Sequence, residues 1–228
     1  MNAAVRLLRL SVLCAVTGCA GQGVTRTGFI DNYDGMKPTQ AHTADLIYVE
    51  PSYARAAYRS IVIEPIAWTP TPGAPPRDAA TVARLEADFR SALEDALGKD
   101  FAILPATPAP PDAGVLRVRA AITNTRQAHW WINAPVTLAG IGLAVVGVPA
   151  GGAPAPDPGG ASEEIEVLDG ATGKRVVAIA TFNNGMPWNK LGELQRFGHA
   201  RRAFRIAAEL LREQLTGDAP PPASRDRG

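Results

Sequence analysis

The cysteine at position 19 sets the terms on which everything after it can fold. It follows Val16-Thr17-Gly18 at the end of a short apolar run, Leu10 to Val16, preceded by Arg6 and Arg9. This is the layout of a lipoprotein signal: a basic n-region, an apolar stretch too short to cross a bilayer core of about 30 Å, and a small approach to a cysteine. Cleavage before Cys19 is expected, with its thiol carrying diacylglycerol and residues 1–18 removed. An ordinary secretory signal or an uncleaved anchor explains the basic and apolar parts, but neither explains a cysteine directly after Val-Thr-Gly. Of the two cysteines, Cys14 leaves with the signal and Cys19 is acylated, so no free thiol remains. The domain must then be held by burial and hydrogen bonds without a disulfide, and every scheme that needs a thiolate is closed.

Removing 18 of 228 residues leaves 210, enough for one domain with a real core and tight for two. Losing Arg6 and Arg9 takes the 23 basic side chains to 21, against 22 acidic ones. That balance offers no basic excess for nucleic acid. Each buried methylene of an acyl chain contributes about 0.8 kcal/mol, and two or more chains hold stably where one holds marginally. Ala20 follows the cysteine where lipoproteins of the inner membrane commonly carry Asp. The expected location is the outer membrane, lipid-anchored through Cys19, with the domain facing the periplasm. Residues 19–27 read as the acylated cysteine and a small, polar tether; the seven residues from Gly21 reach roughly 23 Å when extended.

Residues 28–217 are expected to form a single α+β domain. Thr27 to Tyr33 and Ala44 to Pro51 read as irregular apolar-aromatic pieces packed onto it. Ser60 to Ile66 is β-branched and reads as a strand. A Pro/Gly-rich loop then leads to Asp78, the cap of a helix striped by Val82, Leu85, Phe89, Leu93 and Leu97, with Gly98 as its stop. Arg84 with Asp88 and Glu86 with Arg90 are i,i+4 pairs on its solvated side. Phe101 to Leu104 is a short second strand. Val115 to Thr125 is a longer one that turns Leu116, Val118, Ala120 and Ile122 to the core and Arg117, Arg119 and Thr123 to water. Ser162 to Asp169 and Arg175 to Phe182 form a hairpin that sets Glu164 and Glu166 on the same wet face as Arg117 and Arg119, as solubilising surface or as a polar binding surface. A long helix from about Leu191 to Leu215 completes the core. Residues 218–228, with three consecutive prolines, should be disordered. The order β-α-β-β-β-α gives a mixed sheet of about five strands with two helices packed on one face, its first two strands made parallel by a right-handed crossover.

Several of these stretches also carry a resemblance. Thr27-Gly28-Phe29-Ile30-Asp31, Ile47-Tyr48-Val49-Glu50-Pro51, Tyr58 to Pro65, Gly114 to Thr123, and Gly159 to Ser162 continuing through Leu168 to Gly173 resemble the bacterial lipoproteins grouped as domain of unknown function 3313. The likeness covers roughly residues 27 to 216. It implies a lipoprotein of one domain and brings no catalytic residues, since that family has no established activity.

Chemistry has few places to sit. His42, His129 and His199 fall on three different elements, and none has metal-ligand spacing to another. No Gly-x-Ser-x-Gly elbow surrounds Ser60, Ser91, Ser162 or Ser224. Gly159-Gly160 and Gly170-x-x-Gly173 precede strands and so present no row of helix amides to a phosphate. No catalytic residue, metal site or cofactor is expected. The segment that resists a bland account is the apolar, Gly-rich insertion at 127–161, whose residues 127–156 carry no formal charge. It holds Trp130 and Trp131, then an apolar run from Ala134 to Ala150 with Leu138, Ile141, Leu143, Val145 and Val146. It is too apolar for disorder and too short and Gly-broken to span a membrane. Three readings stand: a Gly-rich helix on the sheet face the other helices leave open, a dip into the membrane with the tryptophans at the headgroups, or an interface for a partner or another copy. The function expected is a non-enzymatic accessory or assembly factor that binds an envelope protein partner near the outer membrane. The alternative is a lipid- or membrane-interacting module using residues 130–150, with a hydrolase lacking a recognisable site as a third reading.

Overall fold

Pro65 divides the first long β-branched run of the chain. Without an N–H it cannot join a ladder, so the chain from Ser60 to Trp68 runs beside one long strand in two pieces, β3 (Ser60–Ile63) and β4 (Ala67–Trp68). Both pair in parallel with β6 (Val115–Arg126), Ser60 opposite Val115 and Trp68 opposite Ile122. The computed structural model describes residues 24–39, 45–106, 113–126, 159–184 and 197–218. Among them the remaining strands are β1 (Lys37–Pro38), β2 (Leu46–Val49), β5 (Ala102–Leu104), β7 (Gly160–Asp169) and β8 (Arg175–Asn184), with helices α1 (Ala79–Leu97) and α2 (Gly198–Thr216).

The sheet runs β1-β2-β8-β7-β6-β3-β5. The four strands from β2 through β6 are antiparallel, and β3 joins β6 and β5 in parallel. The class and the mixed sheet agree with the sequence, but among the described residues the sheet has eight strands rather than about five. Leu46 to Val49, expected to be irregular, pairs antiparallel with β8, Ile47 opposite Ile179. Four residues carry too little periodicity to announce a strand; a neighbouring strand with a free edge supplies its identity.

Each helix ends for its own reason. The Asp78 carboxylate accepts from the Thr81 N–H at 2.8 Å and starts α1. Gly98 stops it, although its φ of −63° is an ordinary helical value. A Cβ there would lie 2.7 Å from the Glu94 carbonyl oxygen, so close approach rather than handedness calls for glycine. Gly217 ends α2 with φ 82°, the left-handed cap. The expected Arg84–Asp88 and Glu86–Arg90 pairs give way to others: Asp88 accepts from Arg201 of α2 at 2.8 Å, while Arg90 pairs with Glu94 one turn on in its own helix and reaches the Ile63 carbonyl.

Both helices pack on one face of the sheet. Phe89 and Phe204 stack between them at 4.9 Å, over Ile61, Ile63, Leu116, Val118, Ile122, Ile165, Val177 and Ile179. The other face, expected to be wet, is not. Residues 24–36 lie across it as a strap, burying Ile30 against Ala178 and Ala180 with Phe29, Tyr33, Met36 and Tyr48 around them. Glu164 and Glu166 are therefore buried. Alternating polarity distinguishes the two faces of a strand, but it does not report whether a distant stretch of chain covers the polar one.

Phe89 and Phe204 join the two helices, so Phe89→Ala should cost about 3–5 kcal/mol. Urea unfolding would show this as a lowered midpoint with the slope unchanged.

Candidate functional site

The strap is held by one carboxylate. Glu164, in the middle of β7, accepts from the Thr25 hydroxyl at 3.1 Å, the Thr27 N–H at 2.8 Å, the Thr27 hydroxyl at 3.2 Å and the Tyr33 hydroxyl at 2.5 Å. Thr25 also shares a 2.6 Å hydrogen bond with Thr123. Burial and then the Glu164 hydrogen bond push the Tyr33 phenol upward. Further along, Arg119 donates to Glu166 at 2.7 Å and lies 5.2 Å from the centre of the Phe29 ring, while Arg175 donates to the Asn32 carbonyl. Burial raises Glu166, and Arg119 draws it back. Arg117 pairs with Glu64. The charged quartet of the sequence is thus split. Only Arg119 and Glu166 are joined, and Glu164 serves the strap.

The strap fixes where the chain enters. Thr25 contacts Thr123, near the C-terminal end of β6, and only four residues separate Cys19 from Val24. Val24 to Thr27, assigned to the tether by the sequence, already belong to the packed domain. The end of the sheet where they enter, the tether end, is also where β6 and β8 finish and where β2 and β7 begin. Both helices start there: Arg77, just ahead of α1, donates to the Thr125 carbonyl at 2.7 Å and stands 5.6 Å over Phe197, the N-cap of α2.

A second buried group lies at this end on the helix face. Glu163 takes the position that alternation reserves for an apolar side chain, between Ala161 and Ile165. It is fully buried, and neither carboxyl oxygen has a hydrogen-bond partner. Asp45, buried too, accepts from Thr181, the residue opposite Glu163 on β8. Burial and then the Asp45 charge push Glu163 well above the ordinary carboxylate range. The sequence held one usable signal for it, a glutamate at a core-parity position. Elsewhere, a mostly apolar groove of about 380 Å³ runs along β2 and is lined by Lys37, Thr39, Tyr48, Pro51 and Gln214, among others.

Cys19, Trp130, Trp131, Leu138, Ile141, Leu143, Val145 and Val146 lie outside the described residues, as do His42 and His129. His199 is buried in the first turn of α2. Among the described residues no three His, Cys, Asp or Glu side chains come together in a way that could hold a metal ion, and no helix is long and apolar enough to cross a membrane.

The family model described as Protein of unknown function (DUF3313) matches residues 25–211. The chain belongs to this family. The match begins at Thr25, the first strap residue bonded to Glu164, so the strap is part of the DUF3313 unit. No curated protein matches the chain. Among solved structures it is similar to the PelC dodecamer from Paraburkholderia phytofirmans, at 12% identity and TM-score 0.40, over 75% of this chain and 95% of that one. It is also similar to the hypothetical protein CT253 from Chlamydia trachomatis, at 14% identity and TM-score 0.37, over 70% of this chain and 99% of that one. Protein XCC0632 from Xanthomonas campestris matches at 10% identity and TM-score 0.37, over 86% and 97%.

Glu164→Ala should leave the strap donors without their acceptor, costing about 2–4 kcal/mol and raising amide exchange across residues 24–36 while α1 stays protected. Exchange mass spectrometry together with urea unfolding reads both. Glu163 gives a pH signature. Its folded pKa lies above the 4.5 of the unfolded chain, so its contribution to stability is fully present below about pH 4.5 and is lost as pH rises toward the folded value. Glu163→Gln should therefore melt close to wild type at pH 4 and above it at pH 8, in thermal melts recorded across that range.

Proposed function

We propose that this is a lipid-anchored lipoprotein of the outer membrane, acylated at Cys19 and facing the periplasm, that works without catalysis as an accessory or assembly factor for an envelope protein partner. The observation that carries the reading is the Thr25–Thr123 contact. It ties the chain to the sheet six residues after the acylated position, so the domain is held within roughly 20 Å of its anchor. A short tether to a rigid sheet suits a protein that presents a surface at a fixed height. It suits poorly an enzyme that must meet a diffusing substrate. The surface assigned to the partner is the uncharged insertion, with Trp130, Trp131, Leu138, Ile141, Leu143, Val145 and Val146 as contacts.

A second reading, a lipid- or membrane-interacting module, is favoured by one further observation. The stems of the insertion, Arg126 and Gly159, stand at the tether end, beside the point where the chain leads to Cys19. Residues 40–44 and 185–196 also leave the described fold at this end. With the insertion they carry three of the four tryptophans of the chain, Trp130, Trp131 and Trp188. Amphipathic indole rings are well suited to the headgroup level.

Labelling with a fatty-acid analogue tests the anchor: wild type should carry the label and fractionate with outer membranes, and Cys19→Ala should do neither. Replacing residues 134–150 by a short Gly/Ser link separates the two readings. Loss of a specific cross-linked envelope protein, with labelling and fold intact, is expected from the first. Retained cross-linking, with loss of liposome binding by the unacylated form, would favour the second.

A further inference from the structure

Among the described residues, only the first half of β2 has a strand on its outer side. β1 is two residues long, with Lys37 opposite Ile47 and Pro38 opposite Leu46. It goes no further along β2 because Gly35, with φ 79°, turns the strap away. A Cβ at Gly35 would lie 3.3 Å from the Tyr48 ring, so the strap leaves this edge as bare backbone. On the helix side, Gln214 in the last turn of α2 reaches the same edge. Between the two, the floor of β2 stays open as the mostly apolar groove of about 380 Å³, a volume within the range of small-ligand sites. Ile47 and Val49 pack toward the helices and Tyr48 toward the strap, so apolar surface from both faces of the sheet meets at its rim. Tyr48 is fixed there by its hydroxyl, which donates to Glu50 at 2.8 Å, and by Arg175, which stands 4.2 Å over its ring.

We propose that this groove binds a free fatty acid, with its chain along β2 and its carboxylate at Lys37. Lys37 is the one charged residue of the lining, and it is exposed. Its ammonium pairs with no acid among the described residues. The nearby Glu50 is already engaged by Tyr48, Ser52 and Lys174. Lys37 stands at the Ile47 end of the groove and Pro51 at the other, roughly 13 Å apart along the strand. A cation at one end of an elongated apolar floor is the complement of a single chain with an anionic head. A cationic amphiphile would bring a like charge to Lys37, and a neutral one would leave the ammonium without a counter-charge. Burial of the chain supplies most of the affinity, and the charge sets its direction in the groove. The inference adds a ligand site to the reading above and does not rest on acylation of Cys19.

The test uses the full mature chain as Cys19→Ala, exported by an ordinary secretory signal, so that no acyl chain of its own competes. Isothermal titration calorimetry with decanoate and with dodecanoate, each below its micelle concentration, should show one molecule bound per chain. Dodecanoate should bind the more tightly, by about fourfold for each further methylene that is buried. Dodecyltrimethylammonium, with the same chain and the opposite charge, should bind on the order of tenfold more weakly than dodecanoate. Lys37→Glu should weaken dodecanoate by a similar factor and remove that preference. Arg84→Glu, the same reversal at an exposed position of α1, should change neither. Gln214→Trp, which places an indole in the groove, should weaken both ligands together. Circular dichroism of the variants should match the parent, and the exposed Lys37 keeps the test open should the tryptophan variant fail to fold. No saturable binding, many molecules per chain, equal affinity for the two head groups, or a Lys37→Glu variant that binds dodecanoate like its parent would each overturn the proposal. A dimer seen by sedimentation and abolished by Gln214→Trp would overturn it too, in favour of a second copy of the chain on this edge.

Discussion

A carboxylate on the inner face of a sheet must be given donors, and the way Glu164 obtains them organises this protein. Four hydrogen bonds from Thr25, Thr27 and Tyr33 converge on it, three from side chains and one from the backbone. Hydrogen bonds to a buried charge are among the stronger non-covalent contacts, and a charge left without them is expensive. The first stretch of the DUF3313 unit is thereby bound to its middle strand, and a sheet with helices on one side only becomes closed on both. Ile30, Phe29 and Met36 add apolar cover over Ala178 and Ala180, whose small side chains leave room for the strap to approach.

That clasp also converts a sequence signal into geometry. Were Cys19 acylated as proposed, a slack tether would leave the domain free to tumble, whereas a chain pinned at Thr25 would set which end of the sheet lies nearest the bilayer. Other features share that end: the stems of the apolar insertion, the two helix starts, and the buried Glu163 and Asp45.

Much of the scaffold was legible in the chain. The stripe Leu85, Phe89, Leu93 and Leu97 becomes the buried side of α1, and Leu116, Val118, Ala120 and Ile122 become the helix-facing side of β6. The cap at Asp78, the left-handed stop at Gly217 and the parallel pairing of β3 with β5 follow from short-range chemistry and from the handedness of crossovers. What escaped was non-local. β2 is four residues long and becomes a strand by meeting β8. Arg117, Arg119, Glu164 and Glu166 share a face and Arg119 pairs with Glu166 across the strands as expected, yet Arg117 turns to Glu64 and Glu164 to the strap, the latter set by packing across more than a hundred residues of chain. The residues assigned to a membrane or partner contact, Trp130 to Val146, lie outside the described residues, so their role stands on their composition and on where their stems begin.

By itself, the sequence determined the α+β class, the two helices with their buried stripes, the long antiparallel hairpin and the expectation of an anchor at Cys19. Periodicity, caps and turn chemistry act within a few residues of one another and can be read from order alone. Only the tertiary structure decided that the polar sheet face is covered, that Glu163 and Asp45 are both buried, and that the entry of the chain at Thr25, the stems of the insertion and both helix starts meet at one end. Those outcomes depend on which distant segments come to lie together, and no local pattern carries that information.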